Sequence, residues 1–119
     1  HIKRDIIYVK DVARAFRLAL ASEQTLGLYN MTSGTQLDLE DEAKAIIEVF
    51  GSGKRSNIVY RPEKPNNTPS FLFSMEKAKH DFGFVPEYTD FKIMMKDYKR
   101  ELESGRWTAL AFSANARAE

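Results

Sequence analysis

The sequence has 119 residues, with 18 Lys and Arg against 17 Asp and Glu, a formal charge of +1, 43% hydrophobic and 12% aromatic residues, and no cysteine. That size fits one domain with a buried core, and the charge balance excludes a strong electrostatic case for nucleic acid or an anionic membrane surface. Disulfides, thiolate zinc sites and cysteine nucleophiles are excluded, and no apolar run is long enough to span a bilayer.

Taken in chain order, Ile6 to Val9 is an apolar, β-branched run that predicts a buried strand. Asp11 stands where a helix N-cap is expected, and Val12, Ala15, Phe16, Ala19 and Leu20 stripe one face of a helix reaching about Ser22. Gly27 opens a second strand, Leu28-Tyr29-Asn30-Met31, closed by a turn at Ser33-Gly34. Leu39, Ala43, Ile46, Ile47 and Phe50 predict a second helix whose first turns hold Asp38, Glu40, Asp41 and Glu42, carboxylates that its positive end favours. Gly51-Ser52-Gly53 ends it, a place for a left-handed residue.

Asn57 to Tyr60 predicts a third strand, and Pro62, Pro65, Asn66, Asn67 and Pro69 an extended loop. Phe71 to Phe73 is a further extended stretch. Ser74 starts a brief helix through Phe82, ended by Gly83. Phe91, Met94, Met95, Tyr98 and Leu102 stripe a last helix from about Asp90 to Glu103. After Gly105 the chain is small and Ala-rich apart from Trp107, Leu110 and Phe112, and it reads as a frayed tail. Strands alternating with amphipathic helices predict an α/β fold with a small mixed or parallel sheet and flanking helices. The edges of so small a sheet call for a partner.

The motif search is mostly negative. Gly51-Ser52-Gly53-Lys54 follows a helix, whereas phosphate loops follow a strand, and no Gly-x-Gly-x-x-Gly occurs. Two Tyr-x-x-x-Lys spacings, Tyr60 to Lys64 and Tyr88 to Lys92, would matter to hydride chemistry if one helical turn carried both residues. Pro62 interrupts the first and the second straddles a helix start, so both read as coincidental. His1 and His80 are the only imidazoles, and no metal cluster or serine triad is suggested. What remains is basic: Arg4 at the entrance to the first strand, and Arg61 and Lys64 in the proline-rich loop beside Asn66 and Asn67. Arginine offers a fork and lysine a point charge to a diphosphate. The plainer alternative is a solvated arginine or an Arg4–Asp5 pair.

The segment from Arg4 to Ala15, RDIIYVKDVARA, resembles a signature of the NAD-dependent epimerase/dehydratase family, the extended short-chain dehydrogenase/reductases acting on nucleotide sugars. Gly27-Leu28-Tyr29-Asn30 with Ser33-Gly34 resembles that family's Tyr-Asn strand and turn. Ser74-Met75-Glu76-Lys77-Ala78 and Phe82-Gly83-Phe84-Val85-Pro86 resemble its later helix and Gly-aromatic-x-Pro stretch. The order holds from Arg4 to about Trp107.

The resemblance implies the C-terminal, substrate-binding part of a Rossmann-type enzyme over residues 1–107, followed by a tail at 108–119. Opening without Met just before a strand, the chain also reads as cut from a longer polypeptide. In the family the cofactor loop and catalytic Tyr-x-x-x-Lys lie upstream. NAD or NADP is therefore expected in the full-length protein and none on this segment, which by itself would be inactive. Arg4 matches an arginine that contacts the substrate diphosphate. Its partner is Lys64 with Asn67 when positions are counted back from Ser74 to Ala78, or Arg61 by local similarity. The family's Gly-acidic pair is missing here, which leaves room for another sugar-like or small carbonyl substrate. Expected partners are a nucleotide sugar or similar small molecule, with neither nucleic acid nor membrane; a homodimer is compatible, and a cytoplasmic location fits the absence of cysteine. A different class of protein, a free-standing module that pairs through its sheet edge, is the alternative.

Overall fold

The computed structural model describes residues 3–51, 56–60 and 69–106. Among them stand two strands and four helices: β1 (Lys3–Asp5), α1 (Val9–Ala21), β2 (Gln36–Asp38), α2 (Leu39–Phe50), α3 (Glu76–Phe82) and α4 (Phe91–Glu103).

The α/β class and the flanking helices agree with the sequence reading. The sheet is smaller than expected and its pairing differs. β1 and β2 form one antiparallel ladder, Lys3 opposite Asp38, Arg4 opposite Leu37 and Asp5 opposite Gln36. The apolar run expected as the first strand lies beyond the ladder. Ile6 accepts a single backbone bond from Ser33 at 3.1 Å, and Val9 already belongs to α1. Leu28–Met31, Asn57–Tyr60 and Phe71–Phe73 carry no ladder within the described residues. A strand is completed by a neighbour's N–H and C=O groups, and Leu28, 94% exposed, has no such neighbour.

The helices end largely where capping chemistry puts them. Asp38 accepts from the Glu40 N–H at 3.0 Å and Asp90 from the Ile93 N–H at 2.9 Å, each starting a helix by satisfying an otherwise unpaired donor. Gly83 ends α3 in the left-handed region at φ 70°, where a Cβ would be strained. Gly51 ends α2 at φ −64°, so no left-handed residue is used there. Asp11 is not the cap of α1, because the helix begins two residues earlier and follows Tyr8. Ser74 lies one residue outside the cap of α3, yet its hydroxyl still receives the Glu76 N–H at 3.3 Å.

Ala15 of α1 and Ala78, Phe82 and Phe84 around the end of α3 form the buried cluster, with Ile7, Leu18, Tyr29, Met31 and Met75 packed against it. The two alanines let α1 and α3 approach closely, and the Phe82 and Tyr29 rings meet edge to face, centroids 5.0 Å apart. A second layer joins α2 to α4 through Val49, Met94 and a Phe50–Tyr98 edge contact. Charge stitches the layers together. Lys10 reaches Asp97 at 2.6 Å and Glu101 at 2.7 Å, while the Tyr8 hydroxyl donates to Asp97 at 2.8 Å.

Candidate functional site

Arg4 is the candidate site residue that falls within the described structure. Lys64, Arg61 and Asn67 lie outside the described residues. Arg4 is exposed at the centre of β1, its backbone fixed opposite Leu37. The Arg4–Asp5 pair weighed from sequence does not form. Asp5 instead accepts from the Thr32 hydroxyl on one oxygen and from the Phe73 N–H at 3.1 Å on the other. Thr32 in turn receives the Gly34 N–H at 3.0 Å, so the turn at positions 32–34 is tied to the end of β1. Among the described residues no carboxylate lies within ion-pair distance of the Arg4 guanidinium.

The segment that carries Arg61, Lys64 and Asn67 is bracketed by residues near β1 and α2. On one side the Tyr60 phenol bonds the Glu40 carboxylate, which also pairs with Lys44 at 2.7 Å. Both contacts hold Glu40 below its ordinary pKa, Lys44 being the larger influence. On the other side Ser70 Oγ accepts from the N–H of Lys3, the neighbour of Arg4, at 3.3 Å. Between these flanks lies a cleft of about 460 Å³ lined by Lys3, Asp38, Glu40, Asp41 and Lys44. Three carboxylates against two ammonium groups suit hydroxyl donors better than a second phosphate. A neighbouring cleft of about 310 Å³ is lined by Ile6, Ser33, Gln36, Leu37, Phe91 and Met94 among others.

One residue escaped the sequence reading. Glu42, grouped there with the other helix-start carboxylates, is buried at 9% exposure, and its Oε1 has no hydrogen-bond partner among the described residues. Burial raises its pKa and the Arg4 charge opposes that rise. The signal was its place seven residues before Val49, also buried, on one face of α2.

Of the two Tyr-x-x-x-Lys spacings, the first has its lysine, Lys64, outside the described residues, and the second makes no Tyr–Lys contact among them. Tyr88 precedes α4 and packs on Tyr8 with centroids 4.6 Å apart, whereas Lys92 pairs with Glu48. Tyr60 serves Glu40. No group of three His, Asp or Glu among the described residues is arranged to hold a metal ion, and no described helix is long and apolar enough to cross a membrane. The sole Gly-x-Gly, at 51–53, follows α2 where a phosphate loop follows a strand, and no third glycine continues it.

A short two-stranded antiparallel ladder flanked by four helices defines an α/β architecture among the described residues. No family profile matches the chain. UDP-glucose 4-epimerase of Corynebacterium glutamicum is 29% identical over 96 residues, covering 79% of this chain and 29% of that protein. A chloroplast stem-loop binding protein of 41 kDa from Arabidopsis thaliana is 28% identical over 111 residues, covering 85% and 29%. The trifunctional UDP-glucose 4,6-dehydratase/UDP-4-keto-6-deoxy-D-glucose 3,5-epimerase/UDP-4-keto-L-rhamnose-reductase of the same plant is 28% identical over 76 residues, covering 64% and 11%. Among solved structures, the Bordetella bronchiseptica enzyme WbmH in complex with NAD⁺ superposes with a TM-score of 0.65 at 28% identity, over 80% of this chain and 31% of that one. RMD from Pseudomonas aeruginosa complexed with NADPH, at 19% identity and a TM-score of 0.67, shares the fold over 80% and 30%.

The epimerase and dehydratase relatives and these structural neighbours are NAD(P)-dependent enzymes of the extended short-chain dehydrogenase/reductase kind, and they align with most of the chain. The chain spans about 29% of the length of the first two curated relatives.

Proposed function

We propose that these residues are the substrate grip of an NAD(P)-dependent nucleotide-sugar epimerase, dehydratase or related oxidoreductase. Arg4 holds the substrate diphosphate, together with Lys64 or Arg61 and with Asn67. The observation that carries this reading is the separation of Arg4 from Asp5. Thr32 and Phe73 occupy the acid, so the guanidinium keeps its fork for an incoming anion. The acidic cleft beside it suits sugar hydroxyls, which donate to carboxylates. The nicotinamide, which supplies hydride transfer when bound, would be held by chain outside these residues. The segment alone binds and positions and performs no turnover.

The apolar surface supports a larger body more than a free-standing module. Phe16 is 63% and Leu20 89% exposed on α1, and Leu26 and Leu28 follow at 82% and 94%. Large apolar side chains left this exposed mark a surface built to be covered. The stem-loop-binding relative makes RNA the competing ligand. Against it stand the near-neutral charge and the pairing of Lys92 and Lys99 on α4 with Glu48 and Glu103.

The test is Arg4→Ala in the full-length protein. A charge-assisted hydrogen bond is worth about 2 kcal/mol, so the apparent affinity for a uridine- or thymidine-diphosphate sugar should fall roughly thirtyfold, with a smaller change in kcat. Unchanged affinity and turnover would remove Arg4 from the site. A shift of stem-loop RNA in a gel, abolished by the same substitution, would favour the competing ligand.

A further inference from the structure

Of the four carboxylates at the start of α2, three are explained by their surroundings. Asp38 caps the helix, Glu40 pairs with Lys44, and Asp41 is exposed to solvent. Glu42 is the exception. It is buried, and its Oε1 accepts no hydrogen bond among the described residues. A dry carboxylate without a donor is costly, so the charges around it decide its state.

The ladder places one such charge nearby. Arg4 stands directly opposite Leu37, and residues opposed across an antiparallel pair share a face. That face is turned toward α2 and α4, since Leu37 lines a cleft with Ala45 and Met94. β2 passes into α2 without a loop, and Glu42 lies one turn past Asp38 at that junction. The Arg4 charge is accordingly felt by the Glu42 carboxyl, although no ion pair closes between them, and Asp38 acts in the opposite sense. The other cations near α2 are engaged elsewhere. Lys3 stands opposite Asp38, Lys92 pairs with Glu48, and Lys99 donates to the Val49 carbonyl. Among the described residues, Arg4 is the cation that bears on Glu42.

We infer that Glu42 is a charge counterweight to Arg4: ionised while Arg4 is free, it takes up a proton when a diphosphate seats on that guanidinium. This rests on the reading of Arg4 as the diphosphate anchor. A single guanidinium cannot balance a buried carboxylate and a bound diphosphate together. The incoming negative charge therefore favours the neutral acid, and the proton passes from solvent to the Glu42 carboxylate. The sign follows from linkage. Binding raises the pKa of Glu42, so anion affinity is greatest where Glu42 is already protonated and declines as pH rises and the carboxylate repels the ligand. Glu42 is thus a positioning residue that sets the strength of the grip without touching the substrate.

The experiment is calorimetric titration of the full-length protein with UDP-glucose, whose diphosphate diester does not titrate between pH 5 and 8. In the unsubstituted protein the Kd should rise about fivefold across that range. Glu42→Gln, uncharged and of the same shape, should keep the low-pH Kd throughout. Paired buffers of different ionisation enthalpy should show net proton uptake on binding, lost in Glu42→Gln. Titration of His80 is common to both proteins and drops out of the comparison.

The same pH profile and proton uptake in both proteins would overturn the inference. So would weaker binding by Glu42→Gln, which would make Glu42 a support for Arg4. Should Glu42→Gln fail to fold, uptake abolished by Arg4→Ala carries the inference, whereas absent uptake, or uptake that survives Arg4→Ala, overturns it. The two readings fail separately. Unchanged affinity in Arg4→Ala removes the diphosphate anchor itself. Weakened affinity in Arg4→Ala, beside a Glu42→Gln protein with the unsubstituted pH profile, removes only the counterweight.

Discussion

Asp97 is the residue on which most charge converges. Lys10 above all, then the Tyr8 hydroxyl and Arg100, hold its carboxyl down at about pKa 2. Burial and the same carboxylate push the Tyr8 phenol up to about 12. A carboxyl whose folded pKa lies below the ordinary value of about 3.9 contributes stability that is present above that value. That contribution is lost as pH falls from about 4 toward 2. Asp97→Asn should therefore destabilise the protein by about 2 kcal/mol near neutrality, through lost charged hydrogen bonds. In chemical denaturation the gap between the two proteins should narrow steadily as pH drops below 4. A gap constant from pH 7 to 2 would place the effect in packing.

The residue scale is also where sequence reading reached least far. Asp11 looks like a helix cap because a short acid precedes an apolar stripe. In the structure its oxygens accept the Glu87 N–H at 3.0 Å and the Tyr88 N–H at 2.8 Å while Arg14 pairs with it at 3.1 Å. The carboxylate accepts backbone N–H groups, but those of the loop that leads into α4 and not of a helix end, and nothing local to Asp11 announces a partner 77 positions away. The site divides in the same way. Arg4 was legible as a lone cation entering a strand, whereas Glu42 was hidden among acids that serve the start of α2.

At the scale of elements, helices were legible and strands were not. A helix satisfies its own backbone and shows its ends through caps such as Asp38, Asp90 and Gly83, so α2 and α4 fall within a residue of expectation. Which face points inward depends on neighbours. The stripe expected on α2 ran through Leu39 and Ile46, yet these are 40% and 42% exposed, while Glu42 and Val49 are buried. On α1 the buried Ala15 belongs to the expected stripe, but Phe16 and Leu20 do not go inward with it. Phe84 is the element-scale keystone, 0% exposed and bonded through its N–H to Ala78 at 3.3 Å just past the left-handed Gly83. Phe84→Ala should cost about 4 kcal/mol, read as a lower denaturant midpoint. A loss under about 1 kcal/mol would mean that α1 and α3 close over the space.

Across the whole molecule, the buried apolar set among the described residues is small: Tyr8, Ala15, Val49, Ala78, Phe82, Phe84 and Met94. Large apolar side chains stand outside it, most of all Leu20, Leu26 and Leu28. If those residues await a covering body, replacing them should leave the stability of the isolated chain nearly untouched. Phe16→Ser with Leu20→Ser should change it by no more than about 0.5 kcal/mol and reduce self-association in sedimentation. The same pair in the full-length protein should lower its melting temperature. A large loss in the isolated chain would show that these residues already hold it together.

The ties between the start of α1 and α4 bear on the order in which these elements assemble. Tyr8 meets Asp97 across 89 positions and Lys10 meets Glu101 across 91. A ribosome releases α1 well before α4, and closing so long a loop is entropically slow. During synthesis α1 therefore waits, half apolar on either side, until α4 has emerged. In this interval a chaperone or a neighbouring nascent chain has its best access to the protein.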